Sequence, residues 1–312
     1  MIEKIVLKNL TSGVELPIAR EETVDYVLNY VDWGSVQGSQ YTYKFAKQVG
    51  VYVASTSLET RPVSIVGWIV AENEDVMTKR KAKLNSFVNP QEEIQIEYKN
   101  KYLIFSPETS IQYSREEQKD NNEVVAKFKI SGTAANPLFF DLDSSSILSS
   151  RFEPTFHFPL IINQEDLKDS DDPKQKHDKP TIVFGAKEKN KLILITNTGS
   201  VPVGMNIRMK ATNGVLNPVI TNINTQEFFK VNKNLEHNEE VEIETTIGSK
   251  HIYGKVEFGE WKNYFKYRDF NSTWFQLATG DNVFQYDADS GVDNLQISIV
   301  FRNGYLEVEE CY

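Results

Sequence analysis

The chain has 312 residues, of which 40% are apolar and 25% charged, and a formal net charge of -10. That composition excludes a wholly disordered chain and, at the usual domain size, leaves room for about two domains. The acidic balance speaks against a nucleic-acid-binding surface, which needs clustered Lys and Arg. No apolar run approaches the roughly 20 residues of a membrane-spanning helix, so no membrane insertion is expected.

Residues 3–10 alternate Ile5 and Leu7 with Lys4 and Lys8, and a Ser12-Gly13 turn follows. This opening is too short and too strand-like for a secretory signal. The sequons at Asn9 and Asn271 therefore carry no weight. Residues 61–70 place Val63, Ile65, Gly67 and Ile69 on one face and Val66, Trp68 and Val70 on the other. The pattern predicts a strand buried on both sides, with Trp68 in the core.

A helix is predicted from Asn73, a good N-cap, with Glu74 and Asp75 in its first turn. Met77, Leu84 and Val88 make its apolar stripe, and Asn89-Pro90 stops it. Lys79, Arg80, Lys81 and Lys83 read as a solvated face, with a subunit contact as the alternative. Residues 94–98 and 102–105 form a predicted hairpin through Lys99-Asn100-Lys101, and residues 124–130 a further strand.

The pattern breaks over residues 132–137, and aromatic residues return at Phe139-Phe140 and over residues 151–160. Residues 164–180 are almost wholly polar and hold two prolines, which reads as a flexible connection. The expected division is thus an N-terminal domain over 1–140, a connecting segment over 141–180 and a C-terminal domain over 181–312. In the last of these, short strands follow at 192–195, 203–209, 219–220, 228–231, 240–244 and 295–301. Asn197-Thr198-Gly199 is a turn signal and Asn213-Gly214 a tight-turn dipeptide. Short strands with no helical period between them describe a mainly β chain with an antiparallel β-sandwich at its C-terminal end. Cys311 is the only cysteine, so no intrachain disulfide is expected and a reducing cytoplasm suits the fold.

Chemistry-bearing motifs are scarce. There is no Gly-x-Ser-x-Gly elbow, no phosphate-cradling glycine loop and no cysteine pair for zinc. His157, His177, His237 and His251 share no metal-ligand spacing. The Asp287-Ala288-Asp289-Ser290-Gly291 run hints at a calcium loop, but Gly291 and Ser298 fall where ligands should be, so a plain loop is expected. Glu307 with Glu309, and Glu257 with Glu260, are the carboxylate pairs a glycosidase would need. Neighbours on one strand face reach that separation by geometry alone, so no catalytic, cofactor-binding or metal-ligating residue is assigned. Trp33, Trp261 and Trp274 are candidate stacking platforms, and the stretch around Trp261, Lys262, Tyr264, Tyr267, Arg268 and Trp274 suits a protein interface or a sugar face.

The order of these segments resembles a known family. Residues 61–70, the charged helix to Asn89-Pro90 and the two short strands after it resemble the N-terminal domain of siphophage distal tail proteins. Residues 194–199, Asn217-Pro218-Val219-Ile220, the Leu277-x-x-Gly280-x-Asn282 signature and residues 297–305 as a closing strand resemble that family's C-terminal domain. The resemblance implies two domains: an N-terminal sandwich or barrel-like domain with one helix, and a C-terminal antiparallel sandwich similar to galectins and carbohydrate-binding modules. It implies a structural, non-enzymatic phage or prophage protein at the virion tail tip, assembled in the bacterial host cytoplasm without cofactors. A hexameric ring of this chain would join the tail tube protein to the tail-associated lysin or fibre, and the C-terminal domain would anchor a receptor-binding protein. From the residues alone, a carbohydrate-binding or glycoside-cleaving β-sandwich protein stays open beside it.

Overall fold

Strand alternation sets the first unit. Ile5, Leu7, Leu16, Ile18, Leu28, Ile65 and Ile69 occupy every second position of their strands, and all are buried. The computed structural model describes residues 2–21, 25–47, 49–108, 111–114, 124–148 and 191–308, with the backbone of Phe152–Glu153 and Ala186–Lys187. The chain divides into two compact units. The first comprises Met1–Ser144, Thr198–Val203 and Arg302–Tyr312; the second comprises Ser145–Asn197 and Gly204–Phe301.

In the first unit seven strands close on themselves. Their order is Lys101–Pro107, Ile94–Tyr98, Lys4–Asn9, Glu15–Ala19, Tyr26–Asp32, Arg61–Ala71 and Val124–Ala134. Gly132 and Thr133 then pair back to Pro107 and Ser106. Neighbours run antiparallel except Glu15–Ala19 with Tyr26–Asp32. Closure removes free edges from these strands. It also explains Gly132, which the sequence pattern assigns to a break. The backbone comes so close to Lys101–Pro107 here that any Cβ would collide with the Ser106 carbonyl and the Phe105 ring.

The helix Glu74–Phe87 starts as predicted, with the Asn73 side chain accepting a hydrogen bond from the Val76 amide at 2.9 Å. It buries Met77, Leu84 and Phe87 against the barrel core. Trp68 differs from expectation. It lies half-buried on the outer face, with its cross-strand partner Lys127 placing its ammonium 5.3 Å from the ring centre. A long cationic side chain covers indole on a solvated face, so a large apolar residue there does not require a second core.

Two late stretches of chain complete the first unit. Gly304–Tyr305 pairs with Phe139–Asp141, and Val201 bridges Gly304. Asn303 Nδ2 donates to Asp141 Oδ2 at 2.9 Å, and the Tyr305 hydroxyl donates to the same oxygen at 3.3 Å. The expected closing strand over 297–305 is therefore two strands, Leu295–Phe301 in the second unit and Gly304–Tyr305 in the first. Likewise Thr198–Val203 and Arg302 onward, expected within the C-terminal domain, belong to the first unit. The reason is non-local pairing to Asp141, which local periodicity does not encode. The polar segment 164–180 lies outside the described residues.

The second unit carries a six-stranded antiparallel sheet in the order Ser145–Leu148, Leu295–Phe301, Met205–Ala211, Glu240–Glu244, His251–Lys255 and Lys262–Asn263. A four-stranded sheet runs Leu192–Asn197, Gly280–Asp287, Val219–Asn222 and Phe228–Lys230. Each sheet buries one face, through Ile207, Met209, Val241, Ile243 and Ile299 in the first and Ile193, Ile195, Ile220, Phe229 and Phe284 in the second. Asn213-Gly214 forms a bend, and the strands it joins do not pair with each other; Val215–Leu216 pairs with Asn234–Leu235 instead. One buried carboxylate ties this unit together. Glu239 accepts from Lys233 Nζ at 2.8 Å, from the Tyr264 hydroxyl at 2.8 Å and from the Glu236 amide at 2.9 Å.

Candidate assembly and binding surfaces

Between Trp33 and Arg61 the chain leaves the barrel as a hairpin, Gly38–Tyr43 with Tyr52–Leu58, which forms a sheet of its own. Almost every residue of its strands is exposed, Tyr41 at 64% among them. Its register puts Ser39, Tyr41, Tyr43, Tyr52, Ser55 and Ser57 on one face, and the Tyr41 and Tyr43 rings meet edge-on at 5.4 Å. Phe45, Val49 and Val51 crown the connection between the strands. A two-stranded ribbon with no buried face is marginal in water on its own. Tyrosine interleaved with serine is the composition of protein-binding surfaces, since Tyr gives large contact area with few torsions to freeze.

The roots of this hairpin are rigid. Trp33 is buried edge-on against Phe139 at 5.3 Å, and Arg61 is only 1% exposed. The Arg61 guanidinium lies 4.8 Å from the Phe139 ring centre, donates to the Trp33 carbonyl at 3.5 Å and also to the Leu306 carbonyl. Gly34 adopts a left-handed φ of 60°, where its missing Cβ admits the Pro62 carbonyl. One buried arginine thus clamps both ends of the hairpin and the chain's late segment.

The outer face of the six-stranded sheet is a second candidate. Glu240 and Glu242 point outward between cations on both sides, and Glu244 on the same face accepts from Asn206 Nδ2. Glu240 is 3.0 Å from Lys210 Nζ and 3.5 Å from Lys255 Nζ, and Glu242 is 2.6 Å from Arg208 Nη2 and 3.7 Å from His251 Nε2. Burial pushes both the Glu240 and Glu242 carboxyls up. Lys210 and Lys255 on Glu240, and Arg208, Asn206 and His251 on Glu242, more than reverse this and hold both below the usual carboxylate range. Groups depressed in the folded state stabilise it above their unfolded value of about 4.5 and lose that contribution as pH falls through the lower folded values. Denaturant titrations should therefore show the second unit losing stability below about pH 4.5, with a shallower pH slope in Glu242→Gln. An unchanged slope in that variant would contradict the assignment.

The remaining sequence candidates scatter. Trp274 is half-buried between Phe229 and Phe265. His237 bonds the Thr212 carbonyl, and Glu257 accepts from Asn238. Glu307 follows the terminal strand at a bend; Glu309, expected to pair with it, lies outside the described residues, as do Cys311, His157 and His177. Asp287 meets Lys191 and Asp289 meets Lys230 and Asn217, so the acidic loop is held by its neighbours. Among the described residues no three His, Cys, Asp or Glu side chains gather as a metal site. The Leu277–Gly280–Asn282 signature is structural: buried Asn282 donates to the Ala278 and Gly280 carbonyls and accepts from the Ala278 amide, and Gly280 turns at a φ of 82°. Sequence periodicity misses this hairpin; its only signal is Ser39, Tyr41 and Tyr43 at every second position after Gly38.

Two family models match: a phage tail protein RIFT-related domain over residues 2–131, within the first unit, and the C-terminal domain of a siphovirus-type tail component over residues 198–305, which takes in most of the second unit and the two late stretches of the first. The chain belongs to the siphovirus distal tail protein family. It is a component of the phage virion tail tip. The distal tail fold also describes the crystal structure of the Dit protein (gp 19.1) of phage SPP1, presented as a paradigm of the hub adsorption apparatus in phages infecting Gram-positive bacteria. The two share 12% identity and a TM-score of 0.61 over 96% of this chain and 98% of that one. A chain of the phage P2 baseplate in its activated conformation with calcium aligns over 97% of this chain and 98% of its own, at 11% identity and a TM-score of 0.44. No curated protein sequence matches this distal tail protein.

Proposed function

We propose that this distal tail protein is the structural hub of a tail tip or baseplate and breaks no bonds itself. Copies assemble into a closed ring, hexameric by analogy with the family, through the first unit. The ring joins the tail tube to the tail-associated lysin or fibre, and the second unit is available to a receptor-binding protein. The Tyr/Ser hairpin on a rigid root carries this reading. It is exposed on both faces and has unpaired strand edges, a state that costs solubility in a free monomer and is resolved when cyclic symmetry covers it. The net charge of -10 lets such a ring surround passing DNA without trapping it, because like charges repel phosphate.

Light scattering after size exclusion, with negative-stain images of the peak, tests the reading. The expected species is a ring of several 35.7 kDa subunits. Replacing residues 38–58 by a short Gly-Ser link should give a monomer with unchanged tryptophan emission, since all four tryptophans lie outside that stretch. A native chain that stays monomeric at tens of micromolar, or a hairpin deletion that still forms rings, would refute it.

A further inference from the structure

We infer that Asn213-Gly214 in the second unit is a site of spontaneous deamidation by water, a reaction the fold withholds from Asn303-Gly304. These are the two Asn-Gly dipeptides of the chain. Asn213 is exposed, and the Gly214 amide donates to its Oδ1 at 2.9 Å. The backbone nitrogen therefore already lies against the side-chain carbonyl group it has to attack. Nothing among the described residues bonds Asn213 Nδ2, the leaving group. A Cβ on Gly214 would meet nothing within 4 Å, so neither a side chain nor a neighbour hinders the approach. Asn303 has the same covalent makeup but is held. It is 8% exposed, its Nδ2 donates to Asp141 Oδ2 at 2.9 Å and its Oδ1 accepts from the Thr198 amide at 3.2 Å. Gly304 is paired with Phe140 and bridged to Val201.

The step needs no catalyst beyond solvent base. The Gly214 nitrogen loses its proton and attacks Asn213 Cγ. An N–C bond forms, the Cγ–Nδ2 bond breaks, and Nδ2 departs as ammonia with the proton the backbone gave up. No atom is oxidised or reduced. One water then opens the resulting succinimide ring at either carbonyl. Opening at one gives aspartate; opening at the other gives isoaspartate, whose main chain is one carbon longer. Either product adds a negative charge to a chain that already carries -10. The longer path matters here because the bend is clamped. The Thr212 amide donates to the Asn294 carbonyl at 2.8 Å, and Asn294 Nδ2 donates to the Gly214 carbonyl at 3.4 Å. An extra carbon between these two bonds strains both. At Asn303 the same product would set a carboxylate against that of Asp141 and push the terminal strand off the first unit. Burial protects the dipeptide whose conversion would do the greater damage.

The test ages the full-length protein in heavy-oxygen water at neutral and mildly alkaline pH, then maps peptides digested in ordinary water by mass spectrometry. Heavy oxygen marks the conversions that happened during ageing, and Lys210 and Arg302 let trypsin place the two dipeptides on separate fragments. Labelling with an isoaspartyl methyltransferase counts the isoaspartate. Asn213 should convert at least about tenfold faster than Asn303, which reacts only through local opening. Its rate should climb with pH, since attack needs the deprotonated amide. Gly214→Ala should slow conversion about tenfold with circular dichroism unchanged, because the glycine's φ is not left-handed and its Cβ position is open. Should that variant misfold, Asn213→Gln serves in its place: the longer side chain demands a larger ring, and the label should vanish from this position. In denaturant Asn303 should rise to the rate of Asn213. An Asn213 that stays intact, a rate indifferent to both variants, or an Asn303 that stays slow in denaturant overturns the inference.

Discussion

Glu239→Ala is expected to lower the stability of the second unit by about 3 kcal/mol, read as a shift of its denaturant midpoint in tryptophan emission. Glu239 has no exposed surface, and its carboxylate is the shared acceptor for Lys233, Tyr264 and the Glu236 amide. Removing it strands three donors at once. Breaking a buried ion pair costs about 3–5 kcal/mol, and the lower end applies because the Lys233 side chain keeps 17% exposure and can turn toward water. The Lys233 ammonium also lies 5.5 Å and 5.7 Å from the Tyr264 and Tyr267 ring centres, so the loop that carries those rings should loosen with it. Lys233→Met combined with Glu239→Ala should cost less than the two changes added, because no charge is then left stranded. A midpoint unchanged by Glu239→Ala would show the network to be a bystander.

Ending the chain at Asn303 is expected to cost the first unit about 3 kcal/mol and to weaken ring assembly with it. The truncation removes the Leu306 carbonyl and the Gly304–Tyr305 strand. Arg61 then keeps only the long bond to Trp33 and the Phe139 ring, and its Nε finds no acceptor among the described residues even in the intact chain. Burial already pulls the Arg61 guanidinium below its ordinary value, and Glu307 pulls it back up. Losing Glu307 leaves a charge in apolar surroundings. Arg61→Met in the truncated chain should therefore recover part of the loss, giving a coupling above about 1 kcal/mol in a double-mutant cycle. Additivity within about 0.5 kcal/mol would separate Arg61 from the late segment.

What the sequence disclosed is what short-range physics controls. The helix was legible because its start rests on Asn73 and its own amide three residues on, and its stop on Pro90. The strands Ile94–Tyr98 and Lys101–Pro107 were legible because two residues join them and their apolar positions alternate. Gly132 was misleading because its reason lies across the barrel at Ser106. Trp68 was misleading because the Lys127 that covers it is brought there by strand pairing. The hairpin was invisible to periodicity because none of its faces is buried, so no alternation had to be kept. The charged sheet face was invisible for another reason: Arg208, Glu242 and His251 come from three strands, and only their register makes them one surface.

The dependence of the first unit on Gly304–Tyr305 also imposes a schedule on biosynthesis. Asp141 must wait for Asn303, which lies 162 residues further along the chain. At about 5–20 residues per second that is a delay of roughly 10–30 s. Throughout it the nascent polypeptide exposes an unfinished edge beside Phe139. Translation therefore acts as a timer, and a product released early reaches the assembly line with its seam still open.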